Sequence, residues 1–364
     1  MINIPKPPYK IIKEYLLENI KTGKYAPGEK IESENRLAEI FGVSRLTARK
    51  AVSELVQEGY FVRVQGMGTF VSHLSIGGRK PTYIGVVVKG TDGARGQAIL
   101  SGILKGLYRE FIYPITAPLG DDNLEAEKEV LGELLKHDIQ GLIFDPFERS
   151  IENEKLIKLI ATDFPVVFVD REIGNLGVPA VSSNNFSGGK KLGKHLKEHG
   201  VKKVAFVTHE PLEVKKIQDR FEGFTKGFGA SPEVFYIKED PNIYHPANRT
   251  LFITAIKKII KGNFDGIFFS HDLIAISGIT LLFQMGKRVP DDIKVVGFDN
   301  KKIGAFTFPT LTTIKQDFTK IGEMAAFYIA KMVQRKSVLK LDHIPVELII
   351  RESCGCKRGE IPLK

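Results

Sequence analysis

Residues 33–71 read SENRLAEIFGVSRLTARKAVSELVQEGYFVRVQGMGTFV, and the order of signals along them decides the N-terminal fold. Ser33 and Glu34, followed by Leu37, Ala38 and Phe41 at helical spacing, predict a short helix closed by Gly42. Ser44 caps a second helix with Ala48, Val52, Leu55 and Val56 on one face, and Gly59 ends it. Two short helices around Phe41-Gly42-Val43-Ser44 are a helix-turn-helix signature. The period then changes from helical to alternating. Tyr60, Val62 and Val64 share one side of a strand, Gln65-Gly66-Met67-Gly68 turns the chain, and Thr69-Phe70-Val71 returns as its partner. A hairpin directly behind a helix-turn-helix is a wing. Upstream, Tyr9, Ile12, Leu16 and Ile20 predict one more helix, so residues 1–72 are expected to form a winged helix-turn-helix domain.

Beyond the wing, residues 73–81 (HLSIGGRKP) have the Gly-rich, cationic composition of a linker. From residue 82 apolar strand runs alternate with helical stretches. The expected strands are 83–88, 112–117, 141–144, 166–169, 204–207, 234–237, 266–269 and 295–298; the expected helices lie near 97–110, 123–136, 186–199, 213–228, 247–261 and 273–286. Near-continuous Val/Ile/Phe strands joined through helices predict α/β architecture with parallel sheets covered on both faces. Eight such strands fit one large sheet, a barrel or two doubly wound lobes.

The 364 residues carry a formal charge of +10 and two cysteines. Length and composition exclude a disulfide-stapled miniprotein or a disordered tail, and the cysteine count fits a reducing compartment. No apolar run approaches the roughly 20 residues that span a bilayer, and the N-terminus lacks a signal-peptide profile, so a cytoplasmic protein without membrane contact is expected. Residues 1–80 hold 13 Lys+Arg against 8 Asp+Glu, half of the net charge, which suggests a polyanionic partner. An enzyme is not expected. The sequence holds no G-x-x-x-x-G-K-[ST], H-E-x-x-H, G-x-S-x-G or complete G-x-G-x-x-G motif, and no cofactor or catalytic residue is assigned. Cys354-Gly355-Cys356 lacks a second pair at zinc-site spacing and reads as tail thiols, with no metal site.

Arg45 and Arg49, four apart on the third helix, leave the face opposite its apolar stripe and so can present guanidinium forks to guanine edges or phosphates in a major groove. Ser44 and Thr47 at the helix start are expected on phosphates, and Lys50 is either a further contact or solvated charge. In the wing, Gly66 and Gly68 permit close backbone approach to a duplex, with Thr69 donating to phosphate. In the second region Asp145, Asp170, His271 and Asp299 follow strands, where ligands bind in open α/β sheets, and Arg220 lies on a helix nearby. Carboxylates and a guanidinium suit the hydroxyls of a sugar. Lys89 and Asp121 follow the first two strands as further candidates.

Residues 25–31 (YAPGEKI), Ser33-Glu34, Phe41 to Arg45, Thr47 to Val52, Leu55, Gly59 and Gly66 to Val71 resemble the GntR family of bacterial winged-helix regulators over about 65 residues. Asn35 and Met67 depart from that family, which often has basic residues at both positions; Arg36 stands one step from the first. The remainder resembles the effector domain of the lactose-repressor family, through Ile84 to Val87, Gly141 to Ile143, Pro165 to Asp170, Arg220 to Phe224, His271-Asp272, Val295 to Asn300 and Leu311 to Gln316. That resemblance implies two lobes like periplasmic sugar-binding proteins over 82–357, one using about 82–182 and 312–340, the other about 183–311 and 341–357. It implies Arg220 and Asp299 as principal effector contacts and His271, Gln316 and Asp170 as lesser ones. It further implies a homodimer on double-stranded operator DNA, a repressor released by a small sugar, L-arabinose first among the expectations. An activator or dual regulator shares this architecture. A sugar-binding or sugar-processing protein is the alternative from another class.

Overall fold

The computed structural model describes residues 6–72, 81–110, 112–119, 123–174, 176–237 and 246–356. The linker expected at 73–81, except Pro81, and Asp121 lie outside these. The chain divides into two compact units, the first running to Thr82 with a short piece at 111–113, the second comprising the rest.

In the first unit α1 (Pro8–Lys21), α2 (Glu34–Phe41) and α3 (Arg45–Gln57) precede β1 (Phe61–Val64) and β2 (Gly68–Val71). The turn between α2 and α3 is built from local chemistry. The Ser33 hydroxyl accepts from the Arg36 N–H at 3.2 Å, Gly42 ends α2 at φ 62°, and the Ser44 hydroxyl accepts from the Thr47 N–H at 3.2 Å. Ile12, Leu16, Leu37, Ala48, Val52 and Leu55 then close over Phe61 and Val71. Phe61 pairs opposite Val71 on the core side, so the pleat turns Val62 and Val64 outward, and both are exposed.

The second unit runs β3 (Thr82–Lys89), α4 (Ala94–Arg109), β4 (Ile112–Leu119), α5 (Leu124–Leu134), β5 (Gly141–Phe144), α6 (Glu154–Ala161), β6 (Val166–Val169) and β7 (Ala180–Ser183). It continues through α7 (Asn185–Glu198), β8 (Val204–Thr208), α8 (Lys215–Phe228), β9 (Glu233–Tyr236), α9 (Pro246–Lys261), β10 (Gly266–Phe269), α10 (Asp272–Gln284) and β11 (Lys294–Val296). Last come β12 (Thr313–Lys315), α11 (Phe318–Val333), β13 (Leu341–Ile344) and β14 (Glu347–Ile349). Two doubly wound sheets result, ordered β13-β7-β6-β5-β3-β4 and β11-β10-β8-β9. The pairings β13–β7, β7–β6, β6–β5 and β5–β3 are parallel, as are all three in the second sheet.

The chain crosses between these lobes three times: after β7, after β12 and after β13. The last two crossings correct the sequence reading. Residues 341–344 pair in parallel with β7 and belong to the first lobe. Residues 313–315 bridge the second lobe through Asp299↔Lys315 and pair with β14.

Glycines set how the helices pack. A Cβ on Gly189 of α7 would stand 2.1 Å from the Arg220 carbonyl on α8, and one on Gly223 2.1 Å from the Phe186 carbonyl. The two helices therefore meet backbone to backbone, and this contact fixes where Arg220 begins its reach. Gly189→Ala is expected to cost about 1–3 kcal/mol of stability by overpacking and to weaken effector binding by shifting α8; urea unfolding and titration calorimetry of the variant check both.

Candidate functional site

A cavity of about 410 Å³ opens between the lobes at the carboxyl ends of both sheets. Lys89, Asp170, Arg220, His271, Asp299 and Gln316 all line it, so six of the eight positions named from sequence converge, Asp121 lying outside the described residues. Asp145 is buried beneath it. Arg220, from α8, is held on three sides. Its Nε donates to Asn185 Oδ1 at 2.8 Å, one Nη donates to the Ser270 carbonyl at 2.6 Å, and its guanidinium lies 3.9 Å from the centre of the Phe298 ring. Its other Nη lies 3.8 Å from Asp299 Oδ1, and Gln316 Nε2 donates to that same oxygen at 2.7 Å. Asp299 sits at φ 119°, in the left-handed region that L side chains rarely adopt, where the chain turns directly after the sheet.

The sequence reading missed the other half of the cavity. Arg95, in the first turn of α4, donates to both oxygens of Asp145 (3.1 and 3.0 Å) and to Asp170 at 2.9 Å. Arg171, His209, Glu210, Lys216 and Lys301 complete the polar wall, with Leu273 and Phe318 the apolar contribution. Lys216 is paired with Glu210 at 2.9 Å. Arg171 is nearly buried, yet its Nε finds no hydrogen-bond partner among the described residues and its nearest carboxylates, Glu148 and Glu210, stand 3.8 and 4.0 Å away.

Burial penalises the Arg95 charge, but Asp170 and Asp145 outweigh it and hold the guanidinium protonated more firmly than usual. Burial likewise raises Asp170, and Arg95, Lys216 and Arg171 together overcome it, so this carboxyl stays below its ordinary range. Burial, then His209 and Arg220, push His271 well below the usual imidazole range. It is neutral at pH 7, with Nε2 3.2 Å from His209 Nδ1.

Burial, and then Asp299, lift the buried Asp272 carboxyl to about 7. In the unfolded chain the same group titrates near 3.8. The folded state binds the proton more tightly, so stability from this group falls as pH rises from about 4 through about 7. Asp272→Asn is expected to remove that part of the pH slope, read as urea midpoints across the interval.

On the first unit, α3 presents the other predicted residues. Arg45 is exposed, 3.8 Å from Glu34, and Arg49 is exposed with no hydrogen bond or ion pair among the described residues. The Ser44 hydroxyl is the cap and lies 2.9 Å from the Thr47 hydroxyl. Lys50 has a partner the sequence did not suggest: its Nζ sits 4.2 Å over the Tyr9 ring. Arg36 pairs with Glu39 at 2.9 Å. Gly66 (φ 75°) and Gly68 (φ 123°) make the wing turn, and a Cβ on Gly68 would meet the end of the Lys30 side chain at 2.6 Å. Thr69 is half-buried in the returning strand. Two apolar side chains stand exposed beside them: Leu46, which the sequence reading passed over, at 74%, and Met67, at the wing tip, at 62%.

Residues 8–71 match the profile of bacterial regulatory proteins of the gntR family, and residues 194–354 that of the periplasmic binding protein-like domain. The chain is 31% identical over 251 residues to the ribose operon repressor of Halalkalibacterium halodurans, spanning 66% of this chain and 69% of the relative. The chain belongs to the lactose-repressor family of regulators and carries a GntR-type reader. The arabinose metabolism transcriptional repressor of Geobacillus stearothermophilus is 29% identical over 360 residues, covering 95% of this chain and 97% of its own. A solved periplasmic binding protein/LacI transcriptional regulator from Alkaliphilus metalliredigens, complexed with D-xylulofuranose, aligns at TM-score 0.60 and 25% identity over 75% of this chain and 98% of its own. The protein is thus a transcriptional repressor with a DNA-binding domain and a ligand-binding effector domain, and not an enzyme. Among the described residues no helix is long and apolar enough to cross a membrane.

Proposed function

We propose that the repressor acts as a homodimer on a roughly palindromic operator of carbohydrate-use genes and leaves it when a small sugar, L-arabinose in the first instance, binds between the lobes. The observation that carries this reading is the convergence of Arg220, Asp299 and Gln316 on one cavity in a chain that also has a winged-helix reader. Asp299 and Asp170 accept from hydroxyls; Arg220, Arg95 and Gln316 donate to hydroxyl and ring oxygens. Both lobes contribute, so a bound sugar favours their closed arrangement, and its differential affinity for the two arrangements is the coupling energy available to the reader. Arg45 and Arg49 read base edges or phosphates, with Leu46 beside them suited to a thymine methyl. Similarity to an arabinose metabolism repressor over 95% of this chain and 97% of that relative supports the sugar named.

The charge of the cavity favours a second reading of the ligand. Lys89, Arg95, Arg171, Lys216, Arg220 and Lys301 line it against three carboxylates, Asp170, Glu210 and Asp299. A phosphorylated or acidic sugar would meet that excess, with Arg171 the group in need of an acceptor. Titration calorimetry of the full chain separates the two. L-Arabinose and other neutral pentoses binding in preference to their phosphates and acids support the first reading; the reverse order supports the second. Binding of none contradicts the assignment of the cavity.

A further inference from the structure

Far from the cavity, at the opposite end of α7, two histidines one helical turn apart meet the two cysteines near the chain's end. His195 and His199 leave the same face of α7, with ring centres 4.2 Å apart. Cys356 Sγ lies 3.0 Å from His199 Nε2 and 3.9 Å from His195 Nε2, and Cys354 Sγ lies 3.4 Å from Cys356 Sγ. The ligand atoms of His195, His199 and Cys356 all fall within 4.8 Å of one another. Around a tetrahedral zinc ion, with bonds of about 2.0–2.1 Å to nitrogen and about 2.3 Å to sulfur, neighbouring ligand atoms stand about 3.3–3.8 Å apart. The observed separations bracket that spacing.

The supporting groups agree with the same geometry. His199 Nδ1 lies 2.8 Å from the His195 carbonyl, so that nitrogen carries the proton and donates it there, leaving the Nε2 lone pair directed at Cys356. Gly355 turns between the two cysteines at φ 92°, a conformation that brings both thiols to one side. Cys354 is buried and His195 nearly so, while His199 and Cys356 are half-buried, which leaves the site closed on its protein side and open to an entering ion.

We propose that His195, His199 and Cys356 hold a tetrahedrally coordinated transition-metal ion, with zinc as its occupant, and that the neighbouring Cys354 thiol, 3.4 Å from Cys356 Sγ, turns from the Arg351 carbonyl to complete a Cys2His2 set. Two nitrogens and two sulfurs suit zinc in preference to calcium or magnesium, which take oxygen ligands. On binding, each thiol gives its proton to solvent and coordinates as thiolate; no electron is transferred. The ion would fasten the segment after β14 to α7, the helix whose first residue, Asn185, holds Arg220. The sequence alone hides the site because its halves lie some 160 positions apart, and a second cysteine pair is the wrong thing to seek.

The test uses the full chain, reduced and stripped with chelator, titrated with cobalt(II). The expected result is one equivalent of cobalt giving the intense visible d–d bands of a tetrahedral centre and a near-ultraviolet thiolate charge-transfer band, both bleached by one equivalent of zinc. His199→Gln and Cys356→Ser, each at a half-buried position, are expected to lose both bands while keeping the far-ultraviolet circular dichroism of the parent. Only weak octahedral cobalt absorption in the reduced parent chain would overturn the proposal. So would bands that persist in Cys356→Ser.

Discussion

Arg220→Ala is expected to yield a repressor that still binds its operator but is no longer released by its effector. Arg220 is nearly buried, makes two short hydrogen bonds to Asn185 and Ser270, lies against Phe298 and reaches toward Asp299. Truncating one member of a buried, hydrogen-bonded charge pair costs about 2–5 kcal/mol, or roughly thirtyfold to a few thousandfold in effector affinity. Arg220→Lys is expected to fail nearly as badly, since one ammonium cannot replace a planar fork that donates to Asn185 and Ser270 while reaching toward Asp299. Calorimetry gives the affinity and a gel shift the release. Effector binding within about threefold of the parent would contradict the role given to this residue.

Arg49→Ala is expected to show the reverse pattern. Arg49 is exposed on α3 with no partner among the described residues, so its removal leaves the domain's core untouched. Operator affinity is expected to fall by about 1–3 kcal/mol, with effector affinity unchanged. The salt dependence separates its two chemistries. A loss uniform across DNA sequences, with the salt slope reduced by about one, marks a phosphate contact; a loss confined to the operator marks a base edge. Lys50→Ala, by contrast, removes a cation–π contact with Tyr9 as well as a charge, so part of its effect is expected in stability.

Where the chain spells its structure locally, the sequence reading meets it. Gly141–Phe144, Val166–Val169 and Gly266–Phe269 are fully buried strands, and their unbroken apolar runs between turn residues leave no other choice. The caps at Ser33 and Ser44 are equally local. What escaped depends on partners distant in the chain. Phe318–Val333 is an exception: its Ile321, Ala325 and Ile329 recur at helical spacing and pack against α4 and the first sheet, a stripe the sequence reading passed over. Ala180–Ser183 ends in two serines, and Leu341–Ile344, an edge strand, carries Asp342 and His343 between its two apolar ends.

The cavity divides in the same way. Asp170, His271 and Asp299 follow strands and could be found by position alone. Arg95 could not, yet it carries a signal. A cation in the first turn of a helix sits against the helix dipole, which favours anions there, and it is tolerated here because Asp145 and Asp170 hold it. His209, Glu210 and Lys216 come from the loop after β8 and the start of α8, where only the fold turns them inward.

Operator release tests the central claim most directly. The full chain is bound at fixed salt to labelled DNA from upstream of its own gene, and L-arabinose, other pentoses and their phosphates are added in turn while anisotropy is followed. The account predicts that one of these ligands lowers specific affinity at least tenfold in the parent and leaves Arg220→Ala on the DNA. Specific binding that persists with every ligand, or release of the Arg220→Ala variant at the parent's ligand concentration, would contradict it.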